Sequence, residues 1–342
     1  MTVLRGDDPA ALAAAAERLA AGELVALPTE TVYGLGARAD QDDAVARIFA
    51  AKGRPADHPL IVHVADAAGA APFAADLPPA AQRLMAAFWP GPVTVIVPRR
   101  EGVATASAGG QSSIGLRCPA HPVAQALLRA AAARGVPGVS APSANRFGRV
   151  SPTTAAHVAD EFGPDLLVLD GGDCEVGIES AIVDVSRGRP VLLRPGVLPR
   201  EVLEAALGEP LHAPDAAAPR ASGTLASHYA PRARVRLFDA AGLATALCRA
   251  DTSVPPWPEG VAVYSRQPVA APAGRWHAMP AEPVAAAHEL FAVLRALDVP
   301  AVREIWIEQP PDLPAWEGVR DRLRRAAADP GAEAGAPGPG AL

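Results

Sequence analysis

The sequence predicts an α/β protein of two domains. Its 342 residues are about two domains' worth of chain. Short apolar runs alternate with stretches of helical periodicity throughout. The third observation is a break at residues 209–224, which contains Pro210, Pro214 and Pro219 and several alanines and has little periodicity. These features divide the chain into a larger unit at 1–208, a linker at 209–234 and a smaller unit at 235–328. The tail at 329–342 is Pro, Gly and Ala, a composition expected to be disordered.

Asp8 as N-cap and Pro9 in the first turn open a helix that runs to residue 20 and stops at Gly22. Residues 24–27 are a short buried strand leading into a turn at 28–36 rich in hydroxyls and glycine. A helix over 42–51 places Val45, Ile48 and Phe49 on one face, and Gly53 stands where a left-handed C-cap belongs. Strands are expected at 60–64, 93–97, 112–118, 136–141 and 166–169, with helices at 79–88, 123–133 and 153–161. Trp89-Pro90-Gly91-Pro92 ends the helix at 79–88 sharply. Residues 179–185 and 191–194 read as paired strands, and a helix at 200–207 follows Pro199. Beyond the linker, strands at 235–238, 261–264 and 305–307 alternate with helices at 241–250, 284–297 and 316–328. That alternation predicts a smaller Rossmann-like parallel α/β domain. It lacks a glycine-rich dinucleotide fingerprint, so no cofactor is assigned to it.

Composition narrows the function. The formal charge of −6 argues against a general nucleic-acid binder, leaving only a local basic cleft open. Cys118, Cys174 and Cys248 are odd in number and widely spaced, so they predict neither a zinc knuckle nor a disulfide framework. They read as buried thiols in a reducing compartment. With no secretion signal and no apolar run of about 18 residues, the expected location is cytoplasmic.

Two residues are unique. Lys52 is the only lysine and Asn145 the only asparagine in a chain rich in Ala, Arg, Pro and Gly. A coding bias that removes both types wherever another residue serves leaves them where substitution fails. Lysine is a compact point charge that arginine's planar fork does not reproduce. Lys52 is therefore expected to face solvent or a phosphate.

Four motifs, Pro28-Thr29-Glu30-Thr31-Val32-Tyr33-Gly34-Leu35-Gly36, Lys52-Gly53-Arg54-Pro55, Ser143-Ala144-Asn145 with Ser151-Pro152-Thr153, and Arg194-Pro195-Gly196, stand in this order. Together they resemble the YrdC-type threonylcarbamoyl-AMP synthases over roughly residues 5–208. The linker with His228-Tyr229-Ala230-Pro231 and the smaller second domain are similar to that family's longer, two-domain form. The resemblance implies an open twisted sheet with a large concave cavity. It implies an L-threonylcarbamoyladenylate synthase, a nucleotidyltransferase using L-threonine, bicarbonate or carbon dioxide, and ATP. Its product would serve a downstream tRNA threonylcarbamoyl-transferase complex, acting on an adenosine next to the anticodon; direct tRNA contact is not required. Neither carbamate formation nor attack on the α-phosphate needs a protein nucleophile, so catalysis would be positioning and charge stabilisation. Mg²⁺ would ride on the ATP phosphates, with no protein-bound metal.

The motif matches imply that Thr31, His63, Arg117 and Ser180, with the backbone at Ala141, hold threonine. Lys52, Arg54, His58, Ser113, Ser143, Asn145, Ser151 and Arg194 would hold ATP, Lys52 and Arg54 acting catalytically, and Tyr229 would swing from the linker over the nucleotide. Each has a blander alternative: Thr31 as a turn cap, His63 as a satisfied core histidine, Arg117 as a structural ion pair, Ser113 and Ser180 as ordinary strand hydroxyls, Tyr229 as a linker anchor. Glu30 and Glu179 read as structural acceptors rather than bases. Arg322, Arg324 and Arg325 read as a solvated helix face. His58 stands where the family more often has Asn, Phe147 where a small polar residue is usual, and Ala181 where a second hydroxyl is common. The competing function is an RNA-binding module using the same basic cavity. Carbamoyl transferases of hydrogenase maturation share this domain type but bring CxxC pairs, which this chain lacks.

Overall fold

The computed structural model describes residues 2–248 and 257–328. The first unit opens with β1 (Thr2–Arg5) and α1 (Pro9–Ala20), which Asp8 caps by accepting from the Ala10 N–H. It continues through β2 (Val25–Leu27), β3 (Gly34–Arg38) and α2 (Asp42–Lys52). Next come β4 (Ile61–His63), α3 (Pro79–Phe88), β5 (Val93–Pro98), β6 (Ser113–Arg117) and α4 (Pro122–Ala132). β7 (Val139–Ser140), α5 (Ala155–Glu161), β8 (Leu167–Asp170), β9 (Ala181–Asp184), β10 (Val191–Arg194) and α6 (Arg200–Leu207) complete it. Its strands form one mixed ten-stranded sheet in the order β1-β8-β2-β3-β7-β4-β6-β5-β9-β10.

Three central strands place the site. β7 lies between β3 and β4 and pairs antiparallel with both, and β4 runs parallel to β6 with His63 opposite Arg117. The strand ends thereby bring residues distant in sequence to one hollow. Gly53 takes the left-handed conformation at φ 64° that ends α2 just after Lys52 and turns Arg54 towards that hollow.

The second unit contains β11 (Arg234–Phe238), α7 (Ala240–Cys248), β12 (Val261–Ser265), β13 (Trp276–Ala278), α8 (Pro283–Leu297), β14 (Glu304–Glu308) and α9 (Glu317–Ala327). Its four strands are all parallel, in the order β11-β14-β12-β13. The two units share a core. Val32, Val150 and Ile178 pack in one cluster with Tyr229 of the linker and with Phe291, Trp316, Val319 and Leu323 of the second unit.

Four strands depart from expectation. β3 begins inside the span read as a turn, because Gly34 and Gly36 interrupt any apolar pattern while the ladder with β2 and β7 is made by backbone. The run at 136–141 pairs only over Val139–Ser140. β1 and β13 were not expected; both are short edge strands with little burial, which leaves no alternation to detect. Of the three cysteines expected to be buried, Cys118 and Cys174 are, whereas Cys248 at the end of α7 is exposed. The disordered-tail expectation for 329–342, and the last two residues of the helix expected at 241–250, lie outside the described residues.

Candidate active site

The hollow is lined by Thr29, Thr31, Val32, Gly34, Arg54, Ile61, His63, Arg117, Ala141, Pro142, Ser143, Glu179, Ser180 and Arg194, and closed by Ser222, Gly223, His228 and Tyr229 of the linker. All of the threonine residues expected from the motifs meet here. Of the nucleotide set, Arg54, Ser143, Arg194 and Tyr229 line it, whereas Lys52, His58, Ser113, Asn145 and Ser151 stand outside its wall.

At one end, the Arg117 guanidinium donates to Thr31 Oγ1 at 2.8 Å and to the Gly91 carbonyl at 3.2 Å, and lies 2.6 Å from a Glu30 carboxylate oxygen. Glu30 also accepts from the Ala120 N–H at 3.1 Å, so it is the structural acceptor the sequence suggests. This pairing leaves Arg117 oriented and its charge compensated. His63 projects from β4 with Nδ1 buried and without a hydrogen-bond partner. Burial first, and the Arg117 charge second, depress its pKa to about 3, so the ring is neutral at physiological pH.

That depression gives stability a pH slope. Unfolded His63 titrates near 6.5, so the fold keeps its full stability above that pH and loses it as pH falls towards 3. Over that window the loss is about 1.4 kcal/mol per pH unit from this group. His63→Gln is expected to flatten the dependence of unfolding free energy on pH between 6.5 and about 4. Equal slopes in the two proteins would show that the folded imidazole protonates normally.

Towards the other end lie three cations, Arg54 and Arg194 in the wall and Lys52 behind it. Lys52, Arg54 and Arg194 are 3%, 8% and 3% exposed, and none forms an ion pair with a carboxylate among the described residues. Burial first, then a neighbouring cation, lowers the pKa of Lys52 well below its ordinary value; Arg54 is pushed down to about 10, chiefly by burial, and Arg194 is lowered for the same reason. Buried charges are normally paired. Here they are held by neutral groups. Lys52 Nζ donates to the carbonyls of Ser143, at 2.6 Å, and Asn145. Arg54 donates to Pro59 O at 3.0 Å while its Nε has no partner, and Arg194 reaches the carbonyls of Ser180 and Ser222 at 3.0 and 2.9 Å. The two unique residues of the sequence therefore touch, but Lys52 is buried against the 143–145 loop instead of facing solvent. Its four-carbon stem packs inside the fold, and the loop carbonyls substitute for water.

Asn145 Nδ2 ties its own turn by donating to Arg146 O and Arg149 O, while its Oδ1 is buried without a partner. Ser151 donates to Glu179, and Ser113 lines a neighbouring apolar recess with Ile61, Ile96, Arg220 and Ser222. His58 sits edge-on to Phe147, their ring centroids 5.4 Å apart. Ser180 Oγ shares a hydrogen with Thr94 at 2.8 Å and accepts from Arg194 at 3.2 Å.

The linker fills much of the hollow, leaving a cavity of about 40 Å³. That is room for a few water molecules, each needing about 10–15 Å³ of such space, and far less than a nucleotide occupies. Tyr229 is buried, with φ 62°, a left-handed backbone that costs a non-glycine residue about 1–2 kcal/mol. Burial raises its phenol pKa to about 12. Sequence reasoning missed Ser222 and His228 here. His228 had a signal in its position beside Tyr229; Ser222, in a featureless stretch, had none.

The expectation for α9 needs correction. Arg324 is solvated, but Arg322 is fully buried and Arg325 largely so. Val319, Leu323 and Ala326 mark the buried face of that helix, and Arg322 lies three residues after the first and four before the last, on the same face. A cluster of arginines hid the period.

Fold and site together define a two-domain α/β protein whose central strands and linker gather cations without an ion-pair partner among the described residues beside a neutral polar pocket. Residues 17–196 match the Sua5/YciO/YrdC family, described as telomere recombination, and residues 198–328 match the threonylcarbamoyl-AMP synthase C-terminal domain. The chain belongs to the Sua5/YrdC family of threonylcarbamoyl-AMP synthases, in its two-domain form. It is 44% identical over 220 residues to the Pyrococcus abyssi threonylcarbamoyl-AMP synthase, a match covering 63% of this chain and 64% of that protein, just under two thirds of its length. The Bacillus subtilis threonylcarbamoyl-AMP synthase is 41% identical over 243 residues, 69% of this chain and 68% of that one. Among solved structures, P. abyssi Sua5 complexed with L-threonine matches with a TM-score of 0.81 and 35% identity, over 92% of this chain and 94% of that chain. A His/Tyr-to-Ala double variant of the same protein gives 0.85 and 33%, with 96% of each chain covered. No helix among the described residues is long and apolar enough to cross a membrane.

Proposed function

We propose that this chain joins L-threonine, carbon dioxide (from bicarbonate) and ATP to form L-threonylcarbamoyladenylate and pyrophosphate. The observation that carries the reading is Arg54 and Arg194 in the wall of the hollow with Lys52 behind them, three buried cations held by carbonyls and with no ion-pair carboxylate among the described residues. Such a site stabilises a bound polyanion, and a triphosphate supplies the missing charge. The relatives named above, and the L-threonine bound to P. abyssi Sua5, support the rest.

Threonine takes the Arg117 end. Its carboxylate meets the edge of that guanidinium, while the Thr31 and Ser180 hydroxyls and the Ala141 backbone hold its polar groups. Neutral His63 offers Nδ1 as an acceptor to the amine. The amine nitrogen attacks carbon dioxide and loses a proton to form a carbamate. A carbamate oxygen then attacks the α-phosphate of ATP, and the bond to the β-phosphate oxygen breaks as pyrophosphate leaves. Arg54 and Arg194 stabilise the negative charge that develops on the phosphates, and Mg²⁺ arrives on the nucleotide. ATP cannot enter the observed cavity with the linker in place, so Tyr229 and Ser222 withdraw for binding and close over the nucleotide afterwards. The product feeds the tRNA threonylcarbamoyl-transferase step, which we assign to the cytoplasm.

The RNA-binding alternative gains no support from the relatives, which are named threonylcarbamoyl-AMP synthases. The deciding experiment is incubation with ATP, threonine and bicarbonate while pyrophosphate is measured. Release is expected only when all three are present. Release that persists without threonine, or salt-sensitive RNA binding without turnover, would reject the synthase reading.

A further inference from the structure

The second domain reaches the catalytic wall through one side chain. Arg322 of α9 is completely buried. Its Nε donates to the Glu179 carboxylate at 2.8 Å and its Nη2 to the Glu179 carbonyl at 3.0 Å. Its Nη1 donates to Pro195 O at 2.8 Å and to Asp321 at 3.0 Å. One guanidinium thus grips both ends of residue 179 and the turn that follows β10. The other Glu179 oxygen accepts from Ser151. The residues beside these two anchors are Ser180 and Arg194, which bond each other through the Ser180 carbonyl and hydroxyl. α9 is pressed against the same turn: a Cβ at Gly318 would stand 2.2 Å from the Gly196 carbonyl oxygen. The next helical turn holds the linker, since Arg325 donates to Leu225 O and its carbonyl accepts from His228 N–H at 3.2 Å. The Arg322 guanidinium also lies 5.5 Å from the centroid of the Tyr229 ring.

We propose that Arg322 is a positioning residue for the synthase reaction: it fixes Glu179 and the Pro195 turn so that Ser180 and Arg194 present their donors to substrate. The geometry goes beyond what domain adhesion requires. An adhesive contact satisfies its own donors anywhere on the interface, whereas here all but one of the acceptors lie next to, or bond directly to, groups lining the cavity. The second domain therefore completes the active site from outside it.

This inference rests on the synthase reading, and the test separates the two. Wild-type protein that fails to release pyrophosphate in a threonine-dependent way would reject that reading. With an active wild type, Arg322→Gln is expected to lower kcat about 10- to 100-fold per folded molecule, in the range of a catalytic group displaced by roughly 1 Å. A purely adhesive arginine would lower the melting temperature and leave kcat and KM of the folded fraction at wild-type values, which would overturn the proposal. Arg322→Lys restores the charge but not the fork, so it is expected to recover less than half of the lost turnover; full recovery would also overturn it. Should Arg322→Gln not fold, the pair Glu179→Gln with Arg322→Gln, which buries no lone charge, is compared with Glu179→Gln alone. Equal turnover in these two supports action through Glu179. A further multiplicative loss in the pair counts against it.

Discussion

Arg54→Ala is expected to lower threonine-dependent pyrophosphate release by about 10²- to 10³-fold, the usual effect of removing one preorganised donor from a developing oxyanion. The same substitution is expected to leave the melting temperature unchanged or slightly raised. Arg54 is a buried cation without a carboxylate, its Nε unpartnered and its pKa pushed down to about 10 by burial. Its removal relieves an unfavourable burial and leaves only the Pro59 carbonyl and the Ser222 hydroxyl without that donor. A loss of stability with intact turnover would show that Arg54 is structural. Lys52→Ala should behave differently, because it takes the Lys52 donor from the buried Asn145 carbonyl and one of two donors from the Ser143 carbonyl. Each buried unsatisfied group costs about 1–3 kcal/mol, so both melting temperature and turnover are expected to fall. Circular-dichroism melts and pyrophosphate assays on the two variants distinguish the roles.

Removal of residues 225–342 is expected to abolish turnover and to make the remaining domain self-associate. Val32, Val150 and Ile178, at most 6% exposed, would lose the Phe291, Trp316, Val319 and Leu323 surface that covers them. An uncovered apolar patch of this kind promotes association. Two arginine anchors would also go: Arg322 on Glu179, and Arg295 on the carbonyls of Val150 and Ser151. Tyr229 and His228, which close the hollow from the linker, are removed with them. Light scattering and pyrophosphate release report on the two effects. A monomeric truncated protein with wild-type turnover would remove the second domain from the catalytic account altogether.

Most elements were legible because their signals are local. Asp8 and Pro9 start a helix and Gly53 ends one regardless of what surrounds them, and both do so as read. β3 was not legible, since its pairing is backbone on both sides and two glycines erase its pattern. Arg322 shows a different failure. Charge suggested solvent, while the spacing to Val319 and Ala326 already placed it inside. Where composition and period disagree on a helix, the period reports which face is buried.

The sequence by itself determined most of the elements, the two-unit division and the chemical types gathered at the site, because caps, periodicity and motif residues act within a few positions of each other. Which groups neutralise one another was decided only by the tertiary structure. Glu30 settles beside Arg117 and Glu179 beside Arg322, across 87 and 143 positions of chain, while Lys52, Arg54 and Arg194 form no ion pair among the described residues. Electrostatic pairing depends on distance in space, and a linear chain carries that distance only after it has folded.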